Sequence, residues 1–389
     1  MATTKPVRKP HEPEKVSISD RLAHPMAHYQ VLLGATGLLL SLGVVMVASA
    51  SSVYSYQMNN GNSWALATRQ LIFAVLGVMS MIWFSQRRVE TIRRIAPFFM
   101  VGVLILLVAV LFIGTATHGQ KNWIEFGGPI RIQPSEFAKL AIVLWAAEIL
   151  DRKYHVIDER RNLLVPLAPV CGIVLLLVIA EGDLGTAMVM MPIMASFLWF
   201  VGAPKQWFAW MAGVAFTGII ALSIAAPYRM QRFTSWLHPG ADPQGTGFQV
   251  AHGKQALGTG GWWGVGLGGS REKWGTLPEA HTDFIYAVIG EELGILGTIS
   301  VLLLFSAIII VGIRIARGTN DAFIQIATLG IVTWIMTQAF VNIGAVLGLL
   351  PITGVPLPLV SYGGSSLVPT LMGLGILMAF AKHEAQENA

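Results

Sequence analysis

Four short segments of this chain set polar and ionisable side chains among apolar neighbours. The first runs Arg131-Ile-Gln-Pro-Ser-Glu-Phe-Ala-Lys139. Glu136 and Lys139 stand three residues apart, so they share one face of a helix whose first turn Pro134 suits. Such a pair either compensates itself or flanks a cavity, where Lys139 would orient an acid such as Asp283 or meet a phosphate. The second segment, Glu181-Gly-Asp-Leu-Gly-Thr-Ala187, reads as a tight turn with Asp183 as helix N-cap. The third, residues 277–286, holds Glu279, His281 and Asp283, and Glu291 and Glu292 follow inside the next apolar run. Asp283 is either a cap favoured by the helix dipole or a working acid. Ionisable groups within a span cost roughly 2.5–3.5 kcal/mol on insertion scales and are functional candidates by default. The fourth, residues 351–366, mixes three prolines and three glycines with Ser361, Ser365 and Ser366. It reads as a re-entrant segment that either plugs the fold or offers amides and hydroxyls to a polar ligand.

The elements that must hold these groups are membrane helices. Of the 389 residues, 54% are hydrophobic and 12% charged, about half the charge of a soluble domain (~25%). A single cysteine, Cys171, excludes an intramolecular disulfide and a cysteine-built metal site. Ten apolar runs approach the length of a bilayer span: 29–50, 70–86, 95–114, 134–150, 163–180, 184–202, 206–226, 288–313, 322–348 and 366–381. Backbone groups in hydrocarbon must pair internally, so these runs are helices, and they are too long for barrel strands. With the N-terminus inside, 17 Lys and Arg fall on the cytoplasmic side and 8 on the outside, which supports ten spans with both termini cytoplasmic. The chain then divides into a flexible cytoplasmic tail (1–27), a membrane domain (28–381) and a short cytoplasmic tail (382–389).

The one long connection, 227–283 between spans seven and eight, lies outside. It contains 12 of the 41 glycines, four tryptophans and three histidines, a composition that suggests a folded lid at headgroup depth rather than a disordered loop. Gly344 and Gly348 form a small-xxx-small pair, an expectation of close helix packing. No Walker A pattern occurs, and Gly264-Val-Gly-Leu-Gly268 lacks the dinucleotide spacing. The formal charge of +5 is spent on topology and lipid headgroups, so no nucleic-acid partner is expected.

Four motifs, in order, closely resemble the SEDS family (shape, elongation, division and sporulation proteins), to which the FtsW and RodA polymerases belong. They are Ile132-Gln-Pro-Ser-Glu-Phe-Ala-Lys139; Asp183-Leu-Gly-Thr-Ala187; Leu277-Pro-Glu-Ala-His-Thr-Asp-Phe-Ile285 with Gly290-Glu-Glu-Leu-Gly294; and Pro356-Leu-Pro-Leu-Val-Ser-Tyr-Gly-Gly-Ser-Ser366. The stretch Ser270-Arg-Glu-Lys-Trp-Gly275 looks most like the cell-division member, FtsW. Glu181-Gly182 departs from the family, which often has Gln-Pro there.

The resemblance implies a multi-pass enzyme of the bacterial plasma membrane, its active site facing outward, that polymerises lipid II into peptidoglycan. It implies Asp283 as the essential acid with Glu136 and Lys139 near it. It also implies a class B penicillin-binding protein as transpeptidase partner, beside other divisome membrane proteins. In such a reaction a sugar hydroxyl needs a base, and undecaprenyl pyrophosphate leaves. Lys139, Arg229, Arg232 or a divalent cation (Mg or Mn) would neutralise it. His281 would tune the acid or merely pack, and Ser361, Gly363, Gly364 and Ser366 would support substrate. Single displacement predicts inversion. The rival readings are a lipid II flippase, an elongation-type polymerase and a non-catalytic scaffold, for which Asp283 would be only a cap.

Overall fold

The computed structural model describes residues 26–117, 120–125, 131–154, 160–224, 227–238 and 245–387. The expected N-terminal tail lies outside the described residues, apart from its last two positions. Ten long helices follow the ten apolar runs. They are α1 (Ala27–Met58), α2 (Ala65–Ser85), α3 (Val89–Ile113), α4 (Pro134–Tyr154), α5 (Arg160–Ala180), α6 (Leu184–Phe200), α7 (Lys205–Ile224), α10 (Ile285–Gly318), α11 (Ala322–Val346) and α12 (Gly364–Glu387). Between α7 and α10 the chain forms α8 (Pro227–Leu237), α9 (Thr246–Gly260) and a 3-10 turn at Glu272–Trp274. Seven helices among the described residues are long and apolar enough to cross a bilayer: α1, α2, α3, α7, α10, α11 and α12. The protein is a polytopic helical membrane protein.

The small sheet between α3 and α4 has no counterpart in the hydropathy pattern. Strands β1 (Thr115–Thr117), β2 (Gln120–Glu125) and β3 (Arg131–Ile132) pair antiparallel in that order. Strands this short carry too few residues for a period-2 signal to register. The Lys121 amide donates to the Glu181 carbonyl at 3.0 Å and ties the sheet to the turn between α5 and α6.

The centre of the bundle is α4, α11 and α12. In α12 83% of the apolar window is buried, against 6% in α7, which lies at the periphery. Close packing of α12 on α2 depends on absent side chains. A Cβ at Gly77 would collide with Leu371, and one at Gly375 with the Met81 backbone. Gly344 and Gly348 do not form the expected helix–helix seam. A Cβ at Gly344 would meet Leu350 of the following turn, and Gly348 lies beyond α11 with φ +72°.

One end of the bundle is tied by ions. Arg93 of α3 meets Asp321 at 2.8 Å and Asp151 at 3.2 Å, and Asp321 caps α11 through the amides of Phe323 and Ile324. The four segments singled out above gather at the opposite ends of α4 and α11. There α10 is broken. Gly294 takes φ 68° and ψ −164°, a region open to glycine. The glycine-rich loop docks into the break, with the Val265 amide donating to the Glu291 carbonyl (2.9 Å), Gly266 to Glu292 (3.0 Å) and Ile295 to the Gly261 carbonyl (2.9 Å).

Candidate active site

A chamber of about 390 Å³ opens where these ends converge. Its walls come from β2 (Gln120, Asn122), the start of α4 (Glu136), the start of α6 (Asp183, Thr186), α8 (Arg232), the turn before α10 (Glu279, Asp283) and the last loop (Gly354, Tyr362, Ser366). Asp283 is half-buried. The N-cap of α10 is Phe284, with no side-chain capping bond, so Asp283 is not a cap. Its backbone is held instead, the carbonyl accepting from Asn342 Nδ2 at 3.0 Å. Among the described residues its carboxyl has no hydrogen-bond partner, and it faces the chamber. Burial, and then the neighbouring charge of Glu279, push it up to about 7, while Arg232 pulls the other way.

Gly354 leaves open the space between the Asp283 and Arg232 side chains. With φ +76°, a Cβ there would stand 3.6 Å from Arg232 Nη1 and 3.8 Å from Asp283 Oδ2. Arg232 is steadied by donating to the Ile352 carbonyl at 3.4 Å. Arg229 falls in the same helix, but its side chain lies outside the described residues.

Lys139 does not reach Asp283. It is fully buried and donates to Glu136 Oε2 at 2.8 Å and Gln338 Oε1 at 3.0 Å. Gln338 also accepts from Trp334 Nε1 (2.7 Å) and donates to the Pro356 carbonyl (3.0 Å). Lys139 therefore braces α4 against α11 and the last loop, and only its partner Glu136 touches the chamber. The sequence showed the i,i+3 pair but not the third partner on another helix. Asp183 caps α6 by accepting from the Thr186 amide at 3.0 Å, and it also accepts from Gln133 Nε2 (2.7 Å) and Ser135 Oγ (3.1 Å).

His281 is buried between Tyr54 and Tyr362, with ring centroids at 5.0 and 5.6 Å, and burial lowers its pKa. It packs the turn that carries Asp283 and does not line the chamber. The last loop divides its labour. Ser361 Oγ donates to the Thr282 carbonyl (2.6 Å) and accepts from the Leu357 amide (2.8 Å), so it is consumed in pinning the Asp283 turn. Gly364 packs against the Phe73 ring. Gly363 and Ser366 do line the chamber.

Glu291 and Glu292 are equally structural. Glu292 accepts from the Gly268 and Ser270 amides and from Ser49, and it pairs with Lys273 at 3.3 Å. Glu291 accepts from Ser270 Oγ and the Arg271 amide. Among the described residues no group of three or more His, Cys, Asp or Glu side chains converges to hold a metal ion.

Comparison with known proteins decides the family. The model for cell cycle proteins of the FtsW, RodA and SpoVE type matches residues 29–386. The chain belongs to this family. It is 38% identical over 370 residues to the probable peptidoglycan glycosyltransferase FtsW of Mycobacterium tuberculosis, covering 95% of this chain and 70% of that one. It is 40% identical over 356 residues to stage V sporulation protein E of Bacillus subtilis, covering 91% and 96%. Among solved structures, a peptidoglycan synthase complex that coordinates polymerization and crosslinking matches with TM-score 0.74 at 25% identity, over 91% of this chain and 97% of that one. The rod shape determining protein RodA of Thermus thermophilus matches with TM-score 0.66 at 25% identity, over 90% and 95%. The motif resemblance is thus borne out at the level of family and fold. The sequence reading missed three polar brackets: Gln338, Asn342, and Gln70, which donates to the Ser361 carbonyl and accepts from the Gly363 amide, both at 3.2 Å; polar amides inside apolar runs were the signal that could have found them.

Proposed function

We infer that this SEDS-family protein is a peptidoglycan glycosyltransferase that polymerises lipid II at the outer face of the bacterial plasma membrane during septal division. Its working arrangement is ten spans with cytoplasmic tails at 1–27 and 382–389 and an outer loop at 227–283. A class B penicillin-binding protein supplies crosslinking beside it. The observation that carries the reading is Asp283: an acid held by its backbone, uncapped and facing a polar chamber, with its pKa raised into the working range.

Asp283 takes the proton from the 4-hydroxyl of the acceptor sugar. The freed oxygen attacks the anomeric carbon of the donor as the bond from that carbon to the phosphate oxygen breaks. The electron pair leaves with undecaprenyl pyrophosphate. A phosphate leaving group is already acidic, so a second carboxylic acid is not needed, unlike glycosidases; Arg232 neutralises the developing charge. One displacement inverts the anomeric centre. The chamber sits at one end of α4 and α11 while the Arg93 cluster closes the other, which favours a polymerase over a carrier that must open to both sides.

The test is glycan synthesis by the purified protein with its transpeptidase and lipid II, comparing wild type with Asp283→Asn at matched folding and partner binding. Loss of polymer by at least about a hundredfold, the usual share of a general base, is expected. Equal polymer from both would remove Asp283 from the mechanism, and a covalent sugar–Asp283 adduct or a retained anomer would refute single displacement.

A further inference from the structure

Beside the chamber lies a smaller recess of about 70 Å³ that the mechanism above does not use. Arg232, Gln120 and Thr353 line both spaces, so the recess is a side branch with Arg232 at its mouth. Its walls are apolar: Leu184 and Met188 of α6, Ile219 of α7, Phe233 of α8 and Ile352. Gly185 keeps the floor clear, since a Cβ there would come within 2.6 Å of the Thr353 carbonyl. One wall is the least covered long helix, and Val214, Phe216 and Ile224 on α7 are exposed, so the branch runs towards hydrocarbon.

We propose that this recess seats the isoprenoid unit adjoining the pyrophosphate of the sugar donor, with Arg232 on the phosphate at the branch point. The proposal rests on the glycosyltransferase reading. A polyprenyl pyrophosphate joins anionic oxygens to a hydrocarbon chain through one carbon, and a cation at the mouth of an apolar slot is the complement of that junction. The slot is about half the roughly 150 Å³ cavity that holds a benzene ring, so it takes no more than one five-carbon unit, and the rest of the chain passes between α6 and α7 into lipid. A phospholipid places glycerol and two ester carbonyls at the same distance from its phosphate, a wider and more polar neck. Contacts to a unit that does not react are equal in the ground and transition states, so they act on KM rather than kcat.

The experiment uses the full chain with its transpeptidase partner in nanodiscs and a polyprenyl monophosphate carrying a photoreactive diazirine on its first isoprene unit. Labelling is expected on peptides containing Met188 or Ile219. A tenfold excess of undecaprenyl phosphate competes it away, and the same excess of phosphatidylglycerol does not. Ile219→Trp, which fills the slot from the sparsely packed α7, lowers labelling at least fivefold and raises the donor KM at least tenfold with kcat kept within twofold. Phe216→Trp, one turn away on the same helix, leaves labelling unchanged. Labelling elsewhere, labelling indifferent to Ile219→Trp, or equal competition by phosphatidylglycerol overturns the proposal. Specific labelling of a protein that makes no glycan would instead overturn the enzymatic reading, so the two failures are separable.

Discussion

The rate of glycan synthesis should follow the ionisation of one carboxyl. Asp283 must be unprotonated to accept a proton, and it is pushed up to about 7. Below that pH, kcat/KM should fall about tenfold per unit, and above it the profile should level off. Two neighbours set the midpoint with opposite signs: Glu279 raises it and Arg232 lowers it. Consider Arg232→Met. Arg232 Nη1 and Asp283 Oδ2 lie 3.6 and 3.8 Å from one point beside Gly354, so these two atoms are at most about 7.4 Å apart. At an effective dielectric of about 20 this is worth roughly 2 kcal/mol, and solvent in the chamber reduces it to about one pKa unit. The midpoint should move up towards about 8. At pH 7 the ionised fraction drops from about half to about a tenth, a fivefold loss that vanishes above pH 9. Lost neutralisation of the pyrophosphate lowers the plateau as well, at every pH. Initial rates of polymer formation from lipid II between pH 5.5 and 9 separate the two effects. Glu279→Gln should shift the midpoint down. An acid limb that stays in place in both variants, or one that moves down in Arg232→Met, would refute the assignment of Asp283 as base.

Two further perturbations test the supporting structure. Lys139→Met strands the Glu136 carboxylate in a buried site and should cost about 3–5 kcal/mol. Adding Glu136→Gln should recover most of the thermal midpoint measured in detergent, and no recovery would mean that the pair is not the reason for the loss. Glu181 is 1% exposed, neither carboxyl oxygen has a hydrogen-bond partner among the described residues, and burial followed by the charge of Asp183 pushes it up to about 9. From the usual carboxylate range up to that value the folded state keeps a proton that the unfolded chain releases, so stability falls as pH rises. Glu181→Gln should flatten the melting temperature between pH 6 and 9, and an unchanged slope would exclude Glu181 as its source.

Hydropathy and charge bias located every long helix, with ends off by up to eight residues as at Met58, because a lipid solvent leaves the backbone no alternative. Even the short, charged α4 was legible, since Pro134 opens it and its Glu–Lys pair neutralises itself. What stayed hidden depends on a second segment of chain. Lys139 looks the same in sequence whether it meets Asp283 or Gln338. Glu291 and Glu292 look like chamber groups until the loop amides that occupy them are in place. Ser361 and Gly363 differ by two residues, yet one is spent on the Thr282 carbonyl and the other faces the chamber. Asp283 reads in the sequence as either a cap or a working acid, and the folded chain shows that it caps nothing and lines the chamber.

The break at Gly294 also fixes a height. Unbroken, α10 would be about 50 Å long at 1.5 Å per residue, far more than the ~30 Å of hydrocarbon in a bilayer. Residues 295–318 alone reach about 36 Å, long enough for a crossing. The segment 285–293, clamped by the 261–266 loop, is about 13 Å of helix on the far side of the break, and Asp283 stands just before its first turn. A lipid-linked sugar is tethered just as rigidly in the vertical direction, because its chain is confined to hydrocarbon and its pyrophosphate to the boundary. On the glycosyltransferase reading this segment works as a ruler, and lengthening or shortening it by one turn would displace the acid by about 5 Å along the segment's axis.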